Sequence, residues 1–157
     1  MQFKIQLLSL LLALSLGCAV VKEESSSAGP GGSASAKGIS LQKVEARLVP
    51  GGASGAVYLK IVNSNAQPDR LRWVESGAAQ DVQTHESREE GGMVRMLAHP
   101  DGFEIPSNAT VELKPGGKHI MLLGIEDPPE PGGKIPLKLH FDKAGSIEVD
   151  ATVVEIG

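Results

Sequence analysis

From Leu41 to the C-terminus, apolar and polar residues alternate in short runs and never hold a helical period for long. Val57-Tyr58-Leu59-Lys60-Ile61-Val62 is the clearest case: an extended strand would place Val57, Leu59 and Ile61 on one side and the polar positions on the other. Runs rich in Val, Ile and Leu predict strands over Leu41 to Leu48, Ala56 to Asn63, Arg70 to Glu75, Asp81 to Glu86 and Met93 to Leu97. Four more follow over Thr110 to Leu113, Lys118 to Gly124, Lys134 to Asp142 and Ser146 to Glu155. Pro50-Gly51-Gly52, Glu90-Gly91-Gly92, Pro115-Gly116-Gly117 and Pro131-Gly132-Gly133 supply turns between them. The pattern predicts an all-β sandwich or barrel built as a single domain over 39–157, with Trp73 in the core. No fixed-period repeat is present.

The N-terminal end departs from this pattern. Lys4 precedes an apolar run from Ile5 to Leu16, too short to span a bilayer and typical of a signal peptide over 1–17. The run ends at Leu16-Gly17-Cys18, and Cys18 is the only cysteine. A small residue directly before it resembles the bacterial lipobox, although Ser15 stands where that motif usually has Leu. Lipidation of Cys18 accounts for an unpaired cysteine in an exported chain. Ordinary cleavage beyond it is the competing reading. Residues 18–38, dominated by Ser, Gly and Ala, are expected to be a lipidated and flexible tether. A periplasmic or cell-envelope location anchored to a membrane follows.

Charge narrows the function. The net charge is −4, and no run of Lys and Arg forms a nucleic-acid footprint. The folded part has no thiol, no nucleophile elbow and no phosphate loop, so nothing in it predicts an enzyme. A blue-copper electron-transfer site would need a cysteine.

Four residues carry candidate chemistry. If Glu90-Gly91 is the turn of a hairpin spanning Asp81 to Leu97, His85 lies directly across from Met96, with Cβ atoms about 5 Å apart. In His119-Ile120-Met121, residues two apart share a strand face. Two imidazoles and two thioethers would suit Cu(I), and imidazole also accepts Cu(II); thioethers are poor ligands for zinc, calcium or magnesium. Outside the cytoplasm, thioethers also avoid the oxidation that would consume a thiolate pair. Each residue alone also fits a core or surface role, and the residues by themselves leave both readings open. His99 is expected in a loop, as a weak second ion site at most, and His140 as a structural or surface residue. Met93 is expected to pack inward, and Glu86 or a backbone carbonyl is a candidate for orienting His85 or His119 through the second ring nitrogen.

From Ala46 onward the chain resembles the PCu(A)C family of periplasmic copper chaperones. The resemblance rests on Gly55-Ala56-Val57-Tyr58-Leu59, Val82-Gln83-Thr84-His85-Glu86, Gly92-Met93-Val94-Arg95-Met96 and Val111 to Leu122. Ten residues separate His85 from Met96, as in the family; twenty-two separate Met96 from His119, one more than usual. The extra residue is expected in the loop from Ala98 to Asn108. The resemblance implies a cupredoxin-like Greek-key β-barrel that binds Cu(I) through His85, Met96, His119 and Met121. It also implies delivery to the binuclear copper site of cytochrome c oxidase subunit II, or to another copper-accepting protein. Copper sequestration with the same site, and a scaffold lipoprotein without metal, are the alternatives.

Overall fold

The computed structural model describes residues 31–156; the signal peptide and Cys18 lie outside the described residues. Among the described residues there are eleven strands and no helix. They are β1 (Gly32–Ala36), β2 (Ile39–Leu48), β3 (Ser54–Asn63), β4 (Asp69–Glu75), β5 (Ala79–Glu90) and β6 (Met93–Ala98). After them come β7 (Phe103–Ile105), β8 (Ala109–Leu113), β9 (Lys118–Ile125), β10 (Lys134–Phe141) and β11 (Gly145–Val153). All nine predicted strands are present, with ends shifted by a few residues. Two were not predicted. Part of the expected tether forms β1, which pairs with β2 through Ala34↔Leu41 and Ala36↔Ile39. Part of the expected Ala98 to Asn108 loop forms β7. Both are short, and neither has a long enough alternation to register as a strand in sequence.

The strands hydrogen-bond in the order β6-β5-β9-β3-β2-β11-β10-β4-β7, with β1 added to β2 and β8 to β3. Only β2 and β11 run parallel; the other pairs are antiparallel. The chain crosses from β4, next to the β7 end of this order, to β5, next to the β6 end. This is the all-β, cupredoxin-like architecture expected. Alternation fills the interior: Val57, Leu59 and Ile61 from β3, Ile120 and Leu122 from β9, and Ile135, Leu137 and Leu139 from β10 are all buried. β3 divides its partners, with Ser54 to Val57 on β9 and Leu59 to Asn63 on β8. A bulge between Gln42 and Glu45, where Lys43 takes a φ of 51°, similarly divides β2 between β1 and β11.

Two buried polar residues fasten the connections. The Asp69 carboxylate accepts the backbone amides of Arg70, Lys143 and Ala144 at 2.7, 2.9 and 2.9 Å, tying β4 to the β10–β11 turn. The Asn63 amide donates to the carbonyls of Gln67, Ile105 and Pro106. Each supplies partners for backbone groups that no ladder reaches.

Trp73 is not in the core; it is 51% exposed. The β4–β10 register shifts between His140 and Phe141, so Leu71 points inward while Trp73 stacks flat on His140, ring centroids 4.5 Å apart. His140 is structural, as expected: its Nδ1 bonds Ser146 Oγ at 2.8 Å, and its Nε2 lies 3.2 Å from Glu75 Oε2.

Candidate metal centre

The β5–β6 hairpin corrects the assumed register. Its turn is Gly91-Gly92, with φ of 62° and 80°, the left-handed pair that a two-residue hairpin turn of the primed type requires. Glu90 therefore pairs with Met93, His85 with Ala98, and Met96 with Ser87. His85 and Met96 are diagonal neighbours, roughly 7–8 Å apart by strand geometry rather than directly opposed. The slip is by two residues, and side chains alternate with period two, so Met96 keeps the face that His85 occupies.

β9 completes the face. His119 lies directly across from His85, and Met121 across from Gln83. The four residues therefore share the outer surface of three adjacent strands, while Ile120 and Leu122 point into the core. The imidazoles of His85 and His119 meet edge to face with centroids 5.9 Å apart. Their burial differs along the face: His119 is 5% exposed, and Met96, on the outermost strand, is 53% exposed.

Hydrogen bonds set which ring nitrogens are free. Lys114-Pro115-Gly116-Gly117 forms a tight turn closed by the Gly117 amide on the Lys114 carbonyl at 3.0 Å, with Gly116 at φ 74°. The turn aims the Gly117 carbonyl at His119, whose Nδ1 donates to it at 3.0 Å. A carbonyl can only accept, so neutral His119 carries its proton on Nδ1 and leaves the Nε2 lone pair for a ligand. On β5, the Asp81 carboxylate accepts the Gln83 amide N–H at 2.6 Å, which turns the Gln83 carbonyl oxygen toward His85. His85 Nε2 donates to that oxygen at 2.9 Å. The remaining nitrogen, His85 Nδ1, is buried and has no hydrogen-bond partner. Burial, then the charges of His119 and His99, push the His85 pKa below its usual value, so its lone pair is open near neutral pH.

Asp81, Gln83 and His85 are two apart along one strand. This orienting chain was not picked out from sequence, although the period-two spacing Asp81-x-Gln83-x-His85 is its visible signal. Glu86 does not fill the orienting role considered for it. It lies on the opposite face of β5, where its carboxylate accepts Arg88 Nη2 at 2.7 Å and His99 Nε2 at 3.1 Å. Burial opposes ionisation of Glu86, but Arg88 and then His99 outweigh it and hold the pKa below the usual range. His99 lies just past the end of β6, outside the strand as expected, where its amide donates to the Thr84 carbonyl at 2.8 Å. Met93 does face away from Met96, yet it is exposed, because the hairpin projects past the core.

Among the described residues, no group of three or more His, Cys, Asp or Glu could hold a metal ion. The face instead presents two imidazoles and two thioethers, donor types that suit copper in its reduced state. Tyr58, on β3, closes the far side of His119 with ring centroids 6.4 Å apart.

The family described as Putative lipoprotein LpqE-like matches residues 39–153. Putative lipoprotein Lxx21020 of Leifsonia xyli subsp. xyli is 33% identical over 145 residues, covering 92% of this chain and 84% of that protein. Among solved structures, the copper-bound PCuAC domain from PmoF2 aligns with a TM-score of 0.68 at 27% identity, over 79% of this chain and 98% of that one. The solution structure of CuI-DR1885 from Deinococcus radiodurans aligns at 0.58 with 25% identity, over 78% and 80%. With its fold, its His-x-Met strand and these matches, the chain belongs to the LpqE-like family of PCu(A)C domains.

Proposed function

We propose that this protein is a copper chaperone that binds Cu(I) through His85 Nδ1, His119 Nε2 and the thioethers of Met121 and Met96, then passes the ion to an acceptor. The observation that carries the proposal is the buried, unpartnered Nδ1 of His85, which shares a sheet face with the second imidazole and both sulfurs. A buried nitrogen without a partner costs free energy unless something binds it. Likeness to a copper-bound PCuAC domain and to CuI-DR1885 supports copper and its reduced state.

The exposure of Met96 favours delivery over storage. An edge-strand ligand is open to replacement by an incoming acceptor ligand, so copper can leave by ligand exchange without unfolding the site. The binuclear copper site of cytochrome c oxidase subunit II is the acceptor we propose. The match to lipoproteins supports an envelope location with Cys18 as the anchor.

Competitive titration of the purified protein against a Cu(I) chromophore tests the assignment. Met121→Leu and Met96→Leu together are expected to weaken Cu(I) binding at least about a hundredfold while affecting Cu(II) far less, since thioether is the softer donor. Unchanged Cu(I) affinity in the double variant would sink it.

A further inference from the structure

The copper-ligand face does not end at His119. Beyond Tyr58 it continues across β3 and β2 into a hollow of about 150 Å³ whose lining includes Lys43, Arg47, Lys60 and Lys114. Glu45 and Glu112 line it too, so four cations face two carboxylates, in a chain whose net charge is −4. Lys60 is neutralised by Glu112 at 3.3 Å. Arg47 packs over the Tyr58 ring, 5.7 Å from its centroid, and its Nε is buried with no hydrogen-bond partner. The Tyr58 ring thus joins the hollow to the metal face, with Arg47 against it and His119 near it. On the opposite flank, Val94 is 74% exposed beside Met96 on the same strand face. The copper ligands lie between an apolar rim and a cationic hollow.

We infer that the hollow receives carboxylates from the protein that takes the copper, and this rests on the copper-transfer reading. The hollow has room for one or two acidic side chains. Glu45 and Glu112 would repel the continuous charge of a nucleic acid or an anionic lipid surface. A protein can seat a carboxylate there and, at the same time, bring its own copper ligands to Met96 and Met121. Charge complementarity of this kind speeds encounter and fixes orientation more than it deepens affinity.

The test uses the Cu(I)-loaded protein and three synthetic acceptor peptides with the same Met and His ligands and a tail of four Asp, four Ser or four Lys. Stopped-flow transfer to the Asp peptide is expected to be about tenfold faster than to the Ser peptide at low salt, with the Lys peptide slowest. At about 0.5 M salt the gap should close, because the Debye length falls to a few Å. Lys43→Glu/Lys114→Glu, at two exposed positions, should abolish or invert the order while Cu(I) affinity stays unchanged. Equal rates for the three tails, or an order that survives charge reversal, would overturn the inference. So would phosphatidylglycerol vesicles that bind through the same lysines and block transfer to the Asp peptide. Fluorescence anisotropy of the labelled peptides on the copper-free protein reads the hollow apart from the metal. Failure to bind Cu(I) refutes the copper reading; equal anisotropy for all tails refutes the hollow with copper binding intact.

Discussion

Replacing Gln83 with Leu isolates the orienting chain from the metal ligands. The side chain of Gln83 touches no proposed ligand atom directly, but its carbonyl oxygen accepts from His85 Nε2 at 2.9 Å and its amide donates to Asp81 at 2.6 Å. Leucine keeps the bulk and removes both hydrogen bonds. A net hydrogen bond contributes roughly 0.5–1.5 kcal/mol. The larger effect is on the ligand: outer partners of metal-binding histidines typically cost 10–100-fold in affinity when removed. At about 1.4 kcal/mol per tenfold, the expected loss of Cu(I) binding is about 1.4–2.8 kcal/mol. Competition titration of Cu(I) measures it, and urea unfolding of the metal-free protein provides the control, where we expect a change under about 1 kcal/mol because the bonds are exposed. Asp81→Asn should give a smaller loss, since an amide can still accept from Gln83. If Gln83→Leu leaves the affinity within twofold of the native protein, the Asp81–Gln83–His85 chain has no role in metal binding. A loss as large as that of His85→Ala would refute the reasoning differently, by making Gln83 a ligand.

Three further outcomes are expected. In the proposed site protonation would compete with copper at His85, and because its pKa is lowered, acid weakening of Cu(I) binding at this residue should begin below the ordinary imidazole value, around pH 6.5; titrations between about pH 5 and 7.5 would show it. The sign for folding is the same: the unfolded chain holds the His85 proton more tightly, so metal-free stability falls as pH drops from about 6.5 through the lowered native pKa and levels off below it. Asp69→Ala leaves three backbone amides without their acceptor and should cost about 3 kcal/mol or more in urea unfolding with unchanged Cu(I) affinity, because β4 contributes nothing to the metal face. Nothing crowds a Cβ at Gly91 or Gly92, so Gly92→Ala should cost only the left-handed backbone strain, about 1–2 kcal/mol; hydrogen exchange should accelerate about tenfold in the β6 amides rather than globally.

Much of this molecule was legible because its determinants are local. Alternation at Val57, Leu59 and Ile61 and at Ile120 and Leu122 is a property of one strand, and so is the shared face of His119 and Met121. The hairpin register was not local in that sense. Glu90-Gly91 and Gly91-Gly92 both read as turns, and only the second supplies two glycines for two positive φ angles. The error moved Met96 two residues along β6 without moving it off the face, since either turn makes partner numbers sum to an odd value. Strand parity therefore survived an error in strand pairing, and His85 and Met96 still share one face.

Features that depend on pairing between distant strands left little trace in the sequence. Trp73 reads as core from its composition, but a shift of register on β10 turns it outward onto His140. The cations of the hollow form no basic run, being scattered at positions 43, 47, 60 and 114, and they meet only because β8 and β2 flank the same strand. The same topology gives the metal face its graded exposure. β9 lies between β5 and β3, so His119 is buried under Tyr58, whereas β6 has a neighbour on one side only and Met96 stays open. A chaperone needs both properties, one end of the ligand set held rigidly and the other free to be replaced. On the proposed copper reading, the ligand set would be stripped from the β6 side while β9 keeps its shape, and Met96 is the ligand we expect an acceptor to displace first.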